Sequence, residues 1–390
     1  MTGVQTCALP IYLDFNNIKT NLKTFLQSQN VLKDYNFEGS ALSTLLDVLA
    51  YNTQYNAYYL NMVANEMFLD SALYRSSVVS HAKELGYTPK SAIAPTATIN
   101  LKVNQVSDSS LTLPRYTTFL SEAIDGVNYN FVTTDSTTVN TDVNKNVSFT
   151  NLELKQGIPA SASFTVNSTT NPNYLFSLTD SGIDTTTLTV TVQQTSSNSS
   201  YDIYNLSPDF SVLDIANSNT AKIYFLQESI SNPTTYEIYF GDGIIGNKLS
   251  DGNVVTVTYL KTDGTAAAGA NNFTLMGSIG GYANTTLTSI SSATTGGDIE
   301  SIQSIKFQAP KSYSTQGRAV TSDDYVTIIQ QNNLGVSFDS VSVWGGEKND
   351  PPVYGQVFIA LKPSGAYTLT DRKSTRLNSS HIPLSRMPSS

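Results

Sequence analysis

The sequence predicts a multidomain α+β protein, with an N-terminal helical bundle segment, then antiparallel β domains, then an incomplete α+β unit. Three observations predict this order. Apolar residues recur at helical spacing up to Tyr87, the spacing changes to two from Ala97 onwards, and helical spacing returns after Gly297, ahead of two last strands. A chain of 390 residues is long enough for two or three domains with a sizeable core.

Both ends of the chain resemble translated sequencing-library adapters. The first stretch reads MTGVQTCALPI, and the last reads DRKSTRLNSSHIPLSRMPSS, as the opposite adapter would. Segments 1–11 and 371–390 are therefore predicted to be artefact. The natural segment is then expected to be 12–370, a fragment of a longer protein.

Composition without these ends excludes several classes of function. The count of basic residues falls from 22 to 18 and that of acidic residues from 31 to 30, which gives a net charge of about −12. An acidic chain without a basic run argues against nucleic-acid binding. The sole cysteine, Cys7, lies in an adapter-like end, so we expect no disulfide, thiol nucleophile or cysteine metal site. No apolar run reaches ~18 residues, so membrane insertion is not expected.

The stretch from Ser40 to Met67 predicts one long helix with too much apolar surface for a small domain. Ser40 is the predicted N-cap, and the helix is expected to have about 27 residues and a length of about 40 Å. A coiled-coil-like seam with a polar middle follows at alternating spacings of four and three, made of Leu42, Leu46, Leu49, Thr53, Asn56, Leu60, Val63 and Met67. A second apolar row contains Leu45, Val48, Tyr55, Tyr59 and Met62. We therefore predict a partner interface formed by Leu42, Leu46, Leu49, Thr53, Tyr55, Asn56, Tyr59, Leu60, Val63 and Met67.

Two further helices complete the predicted assembly region, 12–92. The first carries apolar residues from Leu13 to Leu26 and is expected to end near Asn30. The third is expected to be capped by Ser71 and to end at Gly86.

The remainder is predicted as β regions followed by a last α+β unit. Segment 93–150 is the first β region and 151–261 the second β domain, and 262–297 is a Gly/Ser/Thr-rich connection with one or two strands. Segment 298–370 begins with a short helix ended by Pro310. Its next helix starts at Thr321, which forms a capping box with Asp324.

No residue pattern predicts catalysis, a cofactor or a metal. His81 has no second histidine beside it in the natural segment, and helix capping explains the pair Asp323 and Asp324 better than acid–base chemistry does. The loop from Phe240 to Lys248 lacks the GxxxxGK-Ser/Thr order of a phosphate loop and favours turns between strands. The sequence predicts a protein that is not an enzyme and has no small-molecule substrate.

Three long stretches resemble a known family. Residues from Asp34 to Ala92 resemble the N-terminal region of the baseplate wedge subunit of T-even-type contractile-tailed bacteriophages. Those from Tyr239 to Leu260 and from Gln316 to Pro363 resemble the baseplate J-like signature of the same family.

This resemblance implies a structural role in the virion. Members form the inner baseplate ring, where paired copies join a second wedge protein through a helical core bundle and help to couple host attachment to sheath contraction. It implies a homo-oligomer with other baseplate wedge proteins as partners, located in the tail baseplate and, during assembly, in the host cytoplasm. No family catalytic residues exist to transfer to this chain.

Two other functions stay open at the level of sequence. The strands rich in Ser, Thr and Asn would also suit a β-rich receptor-binding or adsorption protein, which should bind glycans alone and would not need the helical front end. A carboxylate-based glycan hydrolase would require two acidic groups roughly 5 to 9.5 Å apart in a pocket.

Overall fold

The computed structural model describes residues 14–29, 39–207, 219–315, 318–331 and 338–363. The chain divides into two compact units, residues 1–81 and residues 82–390. The first described part is helical, and antiparallel sheets and two further helices follow, so the predicted α+β multidomain fold class is confirmed. The predicted adapter-like ends, 1–11 and 371–390, lie outside the described residues.

The described part of the chain contains five α-helices. They are α1 Phe15–Ser28, α2 Ala41–Glu66, α3 Arg75–Glu84, α4 Ile302–Thr315 and α5 Ser322–Gln331. Ser40 is the N-cap of α2, as predicted, and its side chain accepts the N–H of Ser43 at 3.0 Å.

The third helix does not begin at Ser71, so that part of the prediction is wrong. The Ser71 hydroxyl donates to the backbone carbonyl oxygen of Asn65 at 2.6 Å, and α3 begins four residues later at Arg75. Ser71 therefore closes the end of α2, because its hydroxyl meets an unpaired carbonyl of the last turn there. The predicted end at Gly86 is confirmed, since this residue has a φ of +73° just beyond the helix.

The described residues of the second unit contain seventeen strands. In chain order they are β1 Thr96–Val103, β2 Ser110–Leu113, β3 Thr118–Ser121, β4 Asn130–Thr133, β5 Thr137–Asn140, β6 Val147–Gln156, β7 Ile158–Thr165, β8 Phe176–Leu178, β9 Ile183–Gln193, β10 Tyr201–Leu206, β11 Ile223–Glu228, β12 Tyr236–Phe240, β13 Val254–Lys261, β14 Phe273–Leu275, β15 Thr285–Thr294, β16 Phe338–Gly345 and β17 Val357–Pro363.

Six strands form a curled first sheet in the order β14-β3-β4-β6-β1-β15. The sheet bends back on itself, because Ala293 on β15 exchanges backbone hydrogen bonds with Gly269 and Ala270, just ahead of β14, at 2.7 and 2.8 Å. Its interior is apolar and includes Phe131 and Phe273, whose ring centroids lie 4.9 Å apart. Alternating strand residues supply this core, as the period of two predicts.

Seven strands form a second sheet in the order β7-β13-β9-β10-β11-β12-β8. Its pairs are antiparallel except for β10 and β11, which pair in parallel over two residues. Its core contains Tyr236, Ile238 and Val257, all almost fully buried. This sheet lies between β6 and β14 along the chain, so the second β domain is an insertion into the first.

The segment 262–297, predicted as a connection with one or two strands, supplies β14 and β15 to the first sheet. β15 pairs with β1 from Thr96 opposite Thr294 to Val103 opposite Thr285. The segment is thus part of the first β domain rather than a link outside it. Thr286 and Thr288 are exposed on one face of β15, and the strand is rich in Ser and Thr, which is why its composition resembled that of a loop.

The last unit departs from the prediction at Pro310, which lies inside α4 and does not end it. The ring removes one backbone hydrogen bond, but Ile305 and Ala309 are fully buried beside it, so packing maintains the helix. The predicted capping box is confirmed at α5. The Thr321 N–H donates to the Asp324 carboxylate at 2.8 Å, and the Asp324 N–H donates to the Thr321 hydroxyl at 3.2 Å.

Candidate assembly surface on the helical region

Helix α2 is the element that carries the predicted interface. α1 packs along it, and the Lys19 ammonium lies 2.5 Å from the Asp47 carboxylate. Asp14 caps α1 by accepting the N–H of Asn16 at 3.2 Å. The first helix is therefore packed on the long helix within this unit.

The buried face of α2 is narrow and consists mostly of small side chains. Ser43, Leu46, Ala50 and Ala57 are its buried residues. Three of them recur every seven residues, which returns to nearly the same face at about 100° per residue. Small side chains let a neighbouring backbone approach closely, so this stripe marks the packed face of the helix.

Most of the predicted seam lies outside this stripe. With a rotation of about 100° per residue, the centre of the predicted seam lies about 80° around the helix from the centre of the buried stripe. The seam and the stripe share only Leu46. Leu46 is 4% exposed and Leu42 is partly buried, whereas Leu60 is 61% exposed. Exposure is also high along the rest of the seam and the second row, at Leu49, Thr53, Tyr55, Asn56, Tyr59, Val63 and Met67.

Sequence reasoning missed the small-residue stripe, although the sequence contains its signal. Ser43, Ala50 and Ala57 recur every seven residues, and so does Ala64, but large apolar residues dominated the prediction of the seam. Large residues at heptad spacing do not show which face is packed within the chain. They show only that some face is apolar.

The exposed apolar residues of α2 cover more than half of its circumference. Leu45, Val48, Leu49, Tyr51, Tyr55, Tyr58, Tyr59, Leu60 and Val63 are between 43% and 61% exposed. At about 100° per residue they span about 200° of the helix. Apolar surface this contiguous on a folded chain is typical of an interaction site.

The tyrosines form a continuous aromatic row on this exposed surface. Ring centroids of Tyr51 and Tyr55 lie 4.6 Å apart, those of Tyr55 and Tyr59 6.2 Å apart, and those of Tyr58 and Tyr59 5.9 Å apart. The hydrogen bond with the Tyr55 hydroxyl is the main cause that raises the pKa of Tyr51 above its ordinary value. The row offers flat rings with polar tips, which suits a protein interface.

The polar middle of the predicted seam bonds within its own helix. The Thr53 hydroxyl donates to the Leu49 carbonyl oxygen at 2.8 Å, and the Asn56 amide lies 3.5 Å from the Asn52 side-chain oxygen. Thr53 can thus be covered by an apolar neighbour without losing its own hydrogen bond, while Asn56 keeps polar atoms available to a partner.

His81, the histidine considered for chemistry, connects α3 to the end of α2. Its Nε2 lies 2.9 Å from the backbone carbonyl oxygen of Glu66, so this nitrogen carries the proton. The Glu66 carboxylate in turn accepts the N–H groups of Leu73 at 2.8 Å and of Tyr74 at 3.3 Å, just ahead of α3. Both side chains hold the turn between the two helices.

The loop from Phe240 to Lys248 forms the turn that its sequence favours. The Asp242 carboxylate accepts the N–H groups of Ile244 and Ile245 at 2.9 and 3.0 Å, and the bond from Ile245, then that from Ile244, lowers the pKa of Asp242. Gly243 and Gly246 have φ of +92° and +80°. The carboxylate is thus occupied by its own loop.

The described ranges contain neither a metal-binding cluster nor a helix that could span a membrane. Within residues 14–29, 39–207, 219–315, 318–331 and 338–363, no group of three or more His, Cys, Asp or Glu side chains could hold a metal ion. None of the helices in those ranges has the length and apolarity that a membrane span requires.

Comparison with known proteins identifies two stretches of the chain. Residues 14–87 match the family described as baseplate wedge protein gp6-like, helical domain. Residues 321–380 match baseplate structural protein gp6, C-terminal domain I. The second match extends into the adapter-like end, 371–390, whose artefactual origin stays a prediction.

A curated relative covers most of the chain. The baseplate wedge protein gp6 of Enterobacteria phage T4 is 32% identical over 385 residues, which include 91% of this chain and 55% of the relative. The chain thus spans about half the length of this relative. A solved structure, the cryo-EM structure of the anti-feeding prophage baseplate, 6-fold symmetrised, aligns with 83% of this chain and 65% of its own chain. The sequence identity is 11% and the TM-score is 0.26.

The resemblance seen in the sequence is therefore confirmed at the helical region, at the C-terminal unit and across most of the length between them. Residues 14–87 thus match the helical domain of the gp6-like baseplate wedge proteins, and together the matches support a baseplate wedge subunit.

Proposed function

We propose that the chain assembles through the exposed face of α2 with a second copy of itself and with another baseplate wedge protein. The assembled ring couples host attachment to sheath contraction. The observation that carries this proposal is the exposed apolar surface of α2. It spans about 200° of the helix when each residue is placed about 100° from the one before it. Similarity to a protein named baseplate wedge protein supports it.

The width of the exposed surface favours more than one partner helix. A two-stranded coiled coil covers only a narrow stripe of a helix, whereas the exposed residues of α2 extend from Leu60 on one side to Tyr58 on the other. Two neighbouring helices, one on the seam side and one on the tyrosine side, would cover it. Paired copies with a third chain supply that arrangement.

The free energy available from burial is sufficient for a stable assembly. Full burial of one large apolar side chain contributes roughly 1.5–3 kcal/mol, an upper value for side chains that are already half-buried, and association costs roughly 4–15 kcal/mol. Several of the nine exposed apolar residues of α2 must therefore be covered together. A long helical interface does this, whereas a contact at the helix tip does not.

In this proposal the chain acts by assembly and without catalysis. The carboxylates considered for chemistry have structural partners: Asp324 caps α5, and Asp242 holds its own turn. Its location would be the tail baseplate of the virion, reached from the host cytoplasm during assembly.

Co-expression of the full chain with the other wedge proteins encoded beside it tests the proposal. We expect native mass spectrometry to find a hetero-oligomer with two copies of this chain. Leu60→Asp, at a residue 61% exposed, should weaken the complex at least about tenfold, since a charge would be buried in the interface.

The matched control is Ile244→Asp, which places the same charge at an apolar residue 72% exposed on a turn of the second β domain. The control should assemble like the wild type. A chain that stays monomeric with every partner, or an equal loss in both variants, would contradict the proposal. Glycan binding by the chain alone would instead favour the receptor-binding alternative.

A further inference from the structure

Within residues 82–390, the chain crosses between structural parts at four places, and these crossings meet at one polar junction. The chain enters the first sheet through 87–95, leaves it for the inserted sheet at 156–158, returns at 261–264, and leaves for α4 through 297–301. Hydrogen bonds join these segments to one another, so the entry and the final exit lie side by side.

The entry and the exit are paired by backbone. Ile93 and Gly297 exchange both hydrogen bonds, at 2.8 and 3.0 Å, and the Glu300 N–H donates to the Lys90 carbonyl oxygen at 3.1 Å. The chain between Ile93 and Gly297, which contains both β domains, therefore begins and ends at the same place in the structure. The segment that follows α3 and the segment that precedes α4 are therefore neighbours in space, although they lie far apart along the chain.

The Glu300 carboxylate closes the junction. It accepts the Tyr87 hydroxyl at 2.8 Å from each of its two oxygens, the Lys90 N–H at 2.9 Å and the Ser304 hydroxyl at 2.6 Å. Glu300 is 7% exposed and Tyr87 is 5% exposed. Burial, and then the nearby carboxylate, raises the pKa of Tyr87, so its hydroxyl keeps the proton that it donates.

The donors to this carboxylate come from both sides of the junction. Tyr87 and Lys90 directly follow α3, and Ser304 lies in the first turn of α4. Hydrogen-bond donors compensate a buried carboxylate for its lost hydration. A buried carboxylate that loses these donors is left without that compensation, which is unfavourable. Separation of the two segments is therefore unfavourable, and neither can move far without the other.

Three further side chains tie the β domains to the same place. Asp184, fully buried, accepts the Ala94 N–H at 3.0 Å, and Gln156 bonds to Thr262 and to Asp263 at 2.6 and 2.7 Å. Asp298 accepts the Thr265 hydroxyl at 2.8 and 2.9 Å. Each of these contacts joins two segments that are far apart in the sequence and that lie at or next to the crossings.

We propose that this junction is a mechanical coupler: Glu300 and the Ile93–Gly297 pair make the end of α3 and the start of α4 open and close as one unit. A displacement at the end of α3 then reaches α4 directly, and neither β sheet has to deform. Its use in transmitting movement through a baseplate rests on the proposed function, whereas the coupling itself is a property of the isolated chain.

A perturbation on one side, measured on the other, tests the coupling. Gly86 ends α3 with a φ of +73°, and a Cβ added there would meet nothing within 4 Å. Gly86→Ala therefore strains the backbone without a clash. We expect amide hydrogen exchange to become at least about fivefold faster in residues 88–94 and equally in residues 297–302.

The control is Gly126→Ala, at a glycine with a φ of +84° and no atom within 4 Å of an added Cβ. It lies in the turn between Ile124 and Val127 and belongs to none of the four junction segments. This variant should speed exchange in its own turn and leave residues 297–302 unchanged. An effect of Gly86→Ala that ends before residue 297 would overturn the proposal.

A second pair of variants tests the carboxylate. Glu300→Gln should speed exchange on both sides of the junction together, and Tyr87→Phe, which removes one donor, should do the same to a smaller extent. Tyr259→Phe is the matched control, because that buried hydroxyl donates to Asp180 at 2.8 Å within the inserted domain. A change restricted to residues 297–302 in Glu300→Gln, or one equally large in Tyr259→Phe, would contradict the coupling. All of these measurements use the isolated full chain, so failure of assembly with partners would not affect them.

Discussion

At the scale of single residues, Ser40 determines where α2 begins. Its hydroxyl accepts the N–H of Ser43 at 3.0 Å, and its backbone carbonyl accepts the N–H of Thr44 at 3.1 Å. Four N–H groups at a helix start have no partner within the helix, and the cap satisfies one of them. The residues of the proposed interface follow this first turn along α2, so the cap also fixes where they begin.

Ser40→Ala should lower the free energy of unfolding of the helical region by about 1 kcal/mol, because the N–H of Ser43 loses its acceptor. Chemical denaturation followed by circular dichroism measures this. Ser43→Ala is the control, since the Ser43 hydroxyl is buried and has no hydrogen-bond partner within the described residues. That change should be nearly neutral or stabilising, and a larger loss in Ser43→Ala than in Ser40→Ala would contradict the capping role.

A second residue-scale prediction concerns Asp324 at the start of α5. Partial burial raises the pKa of its carboxyl, but hydrogen bonds from Thr321 and Val320 outweigh burial and hold the pKa below the ordinary value of 3.8. Because the folded pKa is depressed, the capping stability is fully present above the unfolded pKa and is lost as the pH falls through the folded pKa.

Titration of the Asp324 carboxyl by NMR should therefore give a midpoint below 3.8. Thr321→Val removes the hydroxyl of the capping box and should move the midpoint upwards. A midpoint at or above 3.8 in the wild type would contradict the depressed pKa.

At the scale of elements, α2 has two faces with different tasks. The buried stripe of small residues holds the helix within its own unit, while the exposed apolar surface faces solvent in the isolated chain. Substitutions on the buried stripe should therefore change the stability of the chain, whereas substitutions on the exposed face should change assembly.

Ala50→Leu should destabilise the isolated chain by about 1–3 kcal/mol, because Ala50 is fully buried and three more carbons would have to displace its neighbours. Leu49→Ala, one residue away and 45% exposed, should change stability by less than about 0.5 kcal/mol while weakening assembly. Urea denaturation of the chain alone separates the two. Equal losses at both positions would show that the seam is packed within the chain.

At the scale of the whole molecule, the two β domains depend on one crossing. Gly157 follows β6 with a φ of +141°, and a Cβ added there would lie 2.6 Å from the Lys261 carbonyl oxygen, where the chain returns from the inserted domain. The outgoing and returning backbones are thus too close for a side chain between them.

Gly157→Ala should lower the free energy of unfolding by roughly 2–4 kcal/mol, since both the φ and the close backbone oppose a side chain. Gly252→Ala is the control, because it shares a positive φ of +89° and has no atom within 4 Å of an added Cβ. This control should cost only about 1 kcal/mol. If thermal unfolding gives similar losses of stability for both variants, the close approach of the two backbones at the crossing adds nothing to the cost of the positive φ.

Much of the local structure could be predicted because it depends on neighbours in sequence. The cap at Ser40, the stop at Gly86 and the capping box at Thr321 each need only residues within one turn of a helix. The resemblance to wedge proteins likewise needed only the order of residues. Pro310 shows the limit of local rules, since buried neighbours kept α4 intact around a residue that usually ends a helix.

The sequence by itself determined the fold class, the helices and most strands, and the apolar excess of α2. The tertiary structure alone decided which face of α2 is packed, that β15 completes the first sheet beside β1, and that Glu300 meets Tyr87 across 213 residues. The physical reason is that periodicity reveals that a face is apolar but not what covers it. Strands of Ser and Thr, and polar groups far apart in the chain, find their partners only when the backbone brings them together.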